Sequence, residues 1–181
     1  MYIIWAIVLL LIAFAIGAYN KLVWLKNSID NATWDMDVQM KMRFDLIDNL
    51  VNTVKGYATH EKDTLEKLTQ ARSQWMNAST QEDKAAADNM LSWALKTLFA
   101  TSENYPDLKA NTNFLQLQTE LSNIENQIAG SRRYYNATIR EYNDALMSFP
   151  SNIVAKMFWF TNQSSYFASN EEEKKAPKVQ F

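Results

Sequence analysis

A chain of 181 residues can hold one folded body and an anchoring segment, and is short for two domains. Three glycines and three prolines leave little of the punctuation that sheet folds need, and a net charge of -2 with both signs interspersed offers no basic face for nucleic acid. The absence of cysteine excludes disulfides, thiol catalysis and cysteine-based zinc sites.

From Tyr2 to Tyr19 the chain reads YIIWAIVLLLIAFAIGAY, without a charged, amide or hydroxyl-aliphatic residue. A helix of about 18 residues is roughly 27 Å long, close to the hydrocarbon thickness of a bilayer. Trp5 lies near one end, with Tyr19 and Trp24 near the other, where amphipathic rings favour the headgroup level. A secretory signal peptide is the competing reading, and Ala13, Ala15 and Gly17 could imitate its cleavage site. It would, however, carry a basic segment ahead of the apolar run, where only Met1 stands. Residues 1–20 are therefore expected to be a transmembrane anchor. Lys21, Lys26, Lys41 and Arg43 follow the run, which predicts an outside N-terminus and a cytoplasmic body.

Beyond the anchor, Leu22, Leu25, Ile29, Ala32 and Met36 repeat at 3-4 spacing. The row passes through two polar positions, Gln39 and Arg43, and resumes at Ile47, Leu50, Val54 and Tyr57. This is a heptad seam over about 21–57, with Gly56 and His60 near its end. A second helix is expected over 58–78, with Leu65, Leu68, Ala71 and Trp75 inward. Ser79-Thr80 can cap a third over 81–102. Tyr105-Pro106 breaks the chain. The last and longest helix is expected over 111–149, its seam running through Phe114, Leu117, Leu121, Ile124, Ile128, Ser131, Tyr135, Thr138 and Tyr142, with Pro150 as its stop. Residues 151–181 hold an aromatic cluster, with Tyr166 and Phe167 in its later part, and then a charged stretch from Glu171 to Lys175. The expected fold is all-α: an N-terminal transmembrane helix, then an antiparallel four-helix bundle over 21–150 with long coiled-coil first and last helices.

Helix lengths carry a functional implication. Two middle helices of about 31 Å cannot cover a last helix of about 58 Å. The membrane-proximal half should then leave Trp24, Ile29, Trp34, Tyr134, Ile139 and Tyr142 poorly covered, and these are candidates for an interface between copies of the chain. The last helix should return to the membrane surface and bring Lys156, Met157, Phe158, Trp159 and Phe160 to it. Folding of these rings back onto the base of the bundle is the alternative. Gln39 and Arg43 are candidates for fixing helix register, with Gln39 opposite Ser131-Arg132 and Arg43 opposite Ile128, a turn from Glu125. Arg43 could instead extend its head group out of a shallow seam. If it only fixes register, leucine in its place should stabilise the body.

Catalytic chemistry finds no support. His60-Glu61 begins an HExxH pattern, but the second histidine position holds Thr64. One histidine cannot supply a ferritin-like di-metal centre or more than one triad base, and no GxSxG or phosphate-binding loop occurs. Asp45 and Asp48 share a helix face as ordinary solvated carboxylates. No catalytic, cofactor-binding or metal-binding residue is assigned, no cofactor is expected, and the chain is not expected to be an enzyme.

Several stretches together resemble the LemA family. They include Asp45-Leu46-Ile47, Val54-Lys55-Gly56-Tyr57-Ala58 with His60-Glu61-Lys62, and Leu108-Lys109-Ala110-Asn111. Tyr135-Asn136, Tyr142-Asn143, Phe149-Pro150-Ser151-Asn152 and Ala176-Pro177-Lys178-Val179 continue the likeness through nearly the whole chain. Asp48 departs from it, standing where many relatives are expected to have proline. The resemblance implies a bacterial inner-membrane or plasma-membrane protein with an N-terminal anchor and a helical body, and links some relatives to the shaping of internal membranes. The expected function is that of a membrane-anchored, self-assembling homo-oligomer that organises the lipid bilayer. The alternative is a tethered adaptor that captures an unidentified protein partner on its exposed helical stripe.

Overall fold

The computed structural model describes residues 1–58 and 61–164, and its regular structure there is helical throughout. In chain order the helices are α1 (Tyr2–Asp45), α2 (Ile47–Lys55), α3 (Lys62–Asn77), α4 (Gln81–Ser102), α5 (Pro106–Lys109), α6 (Thr112–Met147) and α7 (Ser151–Met157). His60, Tyr166, Phe167 and the stretch from Glu171 onward lie outside the described residues.

Local chemistry explains the boundaries. Between α1 and α2 stands a single residue, Leu46, and its own angles remain helical (φ -77, ψ -16). The Leu50 amide still donates to the Leu46 carbonyl at 3.0 Å, so the interruption loosens the helix without turning it. Asp48 keeps the backbone donor that a proline would lack. At α4 the Thr80 hydroxyl accepts from the Asp83 amide at 3.0 Å and donates to the Asp83 carboxylate at 2.7 Å, closing the first turn. The break at Tyr105-Pro106 is a short helix with proline in its first turn, where the missing N–H costs nothing. Asn111 then caps α6, its side-chain oxygen accepting from the Phe114 amide at 3.0 Å. A further helix, α7, occupies ground read from the sequence as an aromatic tail.

The chain divides into two compact units. The described part of one comprises residues 1–36 and 131–164, that is, the first part of α1, the end of α6 and α7. Its core is Leu22, Leu25, Ile29, Ala32 and Met36 from α1, Tyr135, Ile139, Tyr142 and Leu146 from α6, and Val154 and Ala155 from α7. The described part of the other comprises 37–58 and 61–130. It buries Met40 and Phe44 of α1, Ile47, Leu50 and Val54 of α2, Leu65 and Leu68 of α3, Leu91, Ala94 and Leu98 of α4, and Phe114, Leu121 and Ile128 of α6. Phe44 also stacks on Trp75, with centroids 4.9 Å apart and planes 21° from parallel. Such a pair adds about 0.5–1.5 kcal/mol beyond the area it buries.

Two expectations need correcting. The seam does not run through Gln39: Met40 and Phe44 take the core positions and Gln39 is only half buried. A straight helix advances 3.6 residues per turn, so a strict 3.5 repeat drifts by about 20° per heptad, roughly half a residue step between Leu22 and Gln39. Likewise Ile29, Ile139 and Tyr142 are buried, while Trp24, Trp34 and Tyr134 are exposed. Trp24 and Trp34 each stand five residues from Ile29, and Tyr134 five from Ile139, a separation of about 140° around a helix. These six side chains therefore belong to two faces, and only the outer one lies open.

Candidate functional site

In the second unit the notable feature is a buried charge cluster. Arg43, in the last turn of α1, points into the body with its side chain 4% exposed. Its Nη1 donates to Asp88 Oδ1 at 2.8 Å and to Ser92 Oγ at 3.1 Å, both from α4. Its Nη2 forms an ion pair with Glu125 Oε2 of α6, also at 2.8 Å. Asp88 is fully buried, whereas Glu125 keeps contact with solvent. Burial pulls the guanidinium below its ordinary pKa, and the charge of Glu125 opposes that shift. One turn from Asp88, Lys84 binds Asp37 at 2.6 Å. An open groove of about 630 Å³ lies over the cluster, lined by Arg43, Ser92, Leu95, Phe99, Leu121 and Glu125.

Of this cluster, sequence reasoning singled out Arg43 and its proximity to Glu125, and missed Asp88. A signal was present: Asp88, Leu91, Leu95 and Leu98 follow the 3-4 spacing of an inward row, with an acid at its head. The head group of Arg43 does not extend to solvent. Gln39 contributes nothing to the cluster, and its side-chain oxygen is buried without a hydrogen-bond partner.

In the first unit the feature is an aromatic clamp at the end of the apolar run. The Tyr19 ring packs against Phe158 at 4.8 Å and against Phe160 edge-on at 5.8 Å. The segment after α7 is tied down by Asn143, whose amide donates to the Gln163 carbonyl at 2.8 Å and accepts from the Gln163 N–H at 3.0 Å. Helix α7 ends in a Schellman stop: Phe160 N–H donates to Ala155 O at 3.0 Å and Trp159 N–H to Lys156 O at 3.4 Å. Trp159 supplies the left-handed residue of that stop, at φ 53, where glycine is the usual occupant. The expected group Lys156, Met157, Phe158, Trp159 and Phe160 therefore separates. Phe158 and Phe160 pack on Tyr19, Phe158 keeping part of its ring open, while Lys156, Met157 and Trp159 are exposed without such a contact, Trp159 at 86%.

Among the described residues, one helix is long and apolar enough to cross a membrane, and its apolar window is unburied. Every residue from Tyr2 to Phe14 is exposed, cover begins at Ala15 and Ala18, and it is complete at Leu22 and Leu25.

The LemA family model matches residues 32–181, a span that holds Arg43, Asp88, Glu125 and all of α7. The protein named Protein LemA from Metamycoplasma hominis is 33% identical over 162 residues, covering 87% of this chain and 72% of the relative. On both comparisons, the chain belongs to the LemA family.

Proposed function

We propose that this chain is a non-enzymatic, single-pass protein of a bacterial cell membrane, whose helical body self-associates and so organises the bilayer that holds it. The finer arrangement we propose for the body is an antiparallel four-helix bundle, with the N-terminus outside and the body cytoplasmic. The observation that carries the membrane reading is the bare apolar surface of α1 from Tyr2 to Phe14. Each Leu, Ile, Val or Phe there gains about 1.5–3 kcal/mol on leaving water, and among the described residues nothing covers them. Retention of the run, rather than its removal as a signal sequence, is supported by Phe14, Gly17 and Ala18. These residues line a shared groove with Phe149, Pro150 and Ser151, so the run is part of the folded unit. Self-association is supported by the exposed rings of Trp24, Trp34 and Tyr134.

The test is alkaline extraction of membranes from bacteria expressing the full chain, with intact-mass measurement of the retained protein. The expected result is a protein that stays with the membrane and keeps the apolar run. Release into the supernatant, or a mass lacking residues 1–17, overturns the reading. Protease added to inside-out vesicles should digest the body, and protection there would reverse the orientation.

A further inference from the structure

Helix α7 has two unlike sides. Val154 and Ala155 are buried, whereas Ile153 and Met157 face outward, and Phe149, just before the helix, is exposed as well. Ile153 and Met157 stand four residues apart within α7, only about 40° from one another around the helix, and so form one stripe, with Phe149 exposed ahead of it. Trp159, just past the helix end, is exposed as well. A run of large exposed apolar side chains on a short helix needs an occupant, and the neighbouring residues indicate which.

Position is the first indication. Phe149 lines the same groove, of about 580 Å³, as Phe14, Gly17 and Ala18, and the residues after α7 clamp Tyr19. The stripe therefore lies beside the last turns of the apolar run, from Phe14 to Tyr19. That stretch rises about 7 Å along the helix, within the roughly 5–10 Å to which interfacial helices bury their apolar face. Backbone geometry is the second. Trp159 holds a left-handed conformation that disfavours a bulky side chain, and Phe158 and Phe160 are fixed on either side of it by Tyr19. The reversal holds the flanking rings against Tyr19, Phe158 still partly open, and leaves the indole fully outward, at a level where tryptophan is favoured in membranes. Charge is the third. Lys21, Arg140 and Lys156 stand against Glu141 and Asp144, all exposed, so the face has little net attraction for anionic headgroups.

We propose that α7 is an interfacial helix: Phe149, Ile153, Met157 and Trp159 enter the headgroup–acyl boundary of the bilayer that α1 crosses. This rests on the anchor reading given above. The first unit is then attached to lipid at two places, by a spanning helix and by a helix lying in the surface. Insertion is driven by apolar area and is indifferent to lipid charge.

The chain has no cysteine, so a single one can be introduced and labelled with a polarity-sensitive fluorophore in the full protein. The variants are Ile153→Cys and Met157→Cys on the stripe, Asn162→Cys as an exposed polar control, and Leu9→Cys within the apolar run. Each is reconstituted into phosphatidylcholine vesicles, with and without phosphatidylglycerol, carrying a nitroxide quencher at a shallow or a deep acyl position. Expected for Ile153→Cys and Met157→Cys are a blue shift and several-fold stronger quenching by the shallow nitroxide than by the deep one, equal in both lipid mixtures. Asn162→Cys should remain unquenched, and Leu9→Cys should respond most to the deep quencher. Stripe labels that stay water-accessible while Leu9→Cys is quenched overturn the interfacial helix and leave the anchor standing. Quenching that requires phosphatidylglycerol overturns the charge-indifferent mode of insertion. A Leu9→Cys label in water overturns the anchor, and the interfacial helix with it.

Discussion

Arg43 donates from Nη1 to Asp88 Oδ1 at 2.8 Å, with the two side chains 4% and 0% exposed. The pair joins the end of α1 to α4 inside the second unit. Removing Arg43 takes the positive charge from a buried cluster that holds Asp88 and Glu125, and breaking a buried pair in this way costs about 3–5 kcal/mol, whereas replacing both members with apolar groups is close to neutral. Arg43→Leu should therefore destabilise the body by that amount, and Arg43→Leu combined with Asp88→Leu should recover most of the loss. Thermal melting of the four proteins of this cycle checks it. An Arg43→Leu protein more stable than the parent would restore the simpler expectation from sequence, in which arginine only fixed register.

Alkaline stability offers a second test. Burial raises the pKa of Tyr142 above its ordinary 10.0, so the folded chain holds a proton that the unfolded chain releases. The stabilisation is complete below pH 10 and declines as pH rises from there through the folded value. Tyr142→Phe should melt at a more nearly constant temperature between pH 9 and 11, while the parent loses stability over the upper part of that range. Parallel curves would show that the hydroxyl titrates alike in the folded and the unfolded chain, so that burial does not raise its pKa.

The outer face of the first unit should be separable from its core. Trp24→Ser, Trp34→Ser and Tyr134→Ser together remove exposed rings, and each should change stability by no more than about 0.5 kcal/mol. If these rings join copies of the chain, mass photometry in mild detergent should show the assembly falling to smaller species. Tyr142→Ala, by contrast, should cost about 3–5 kcal/mol as a large-to-small change at a buried aromatic. A parent protein that is already small and carries a stoichiometric second protein would favour the adaptor reading instead.

Trp159→Gly separates local strain from lipid binding. A left-handed conformation costs a residue with a side chain about 1–2 kcal/mol, and glycine escapes that cost. The amides of 158–160 should exchange hydrogen more slowly in the variant in detergent. Faster exchange would mean that the indole holds the turn in place through contacts of its own.

Much of this architecture can be read from local pattern. The apolar run, the cap at Thr80 and the break at Pro106 are each declared by residue types whose preferences act within one turn of chain. Long-range partners are less visible. Asp88 follows three alanines and resembles a solvated acid until α1 supplies Arg43 across a gap of 45 positions. Met40 displaced Gln39 because helical drift accumulates along a seam. Helix α7 was hidden by its shortness and by the aromatic residues at its end. The left-handed turn at Trp159 is marked by no glycine, since tertiary contacts at Tyr19 hold it rather than local preference.

The clamp on Tyr19 also has a chronology. Tyr19 leaves the ribosome before any of α2 to α7 has been made, so almost the entire body must be synthesised before Phe158 and Phe160 follow. During translation this ring stands at the end of the apolar run without its partners. Closure of the clamp is then a late event, reporting that the chain has been read through α7, and a nascent chain arrested earlier should leave Tyr19 without these two rings.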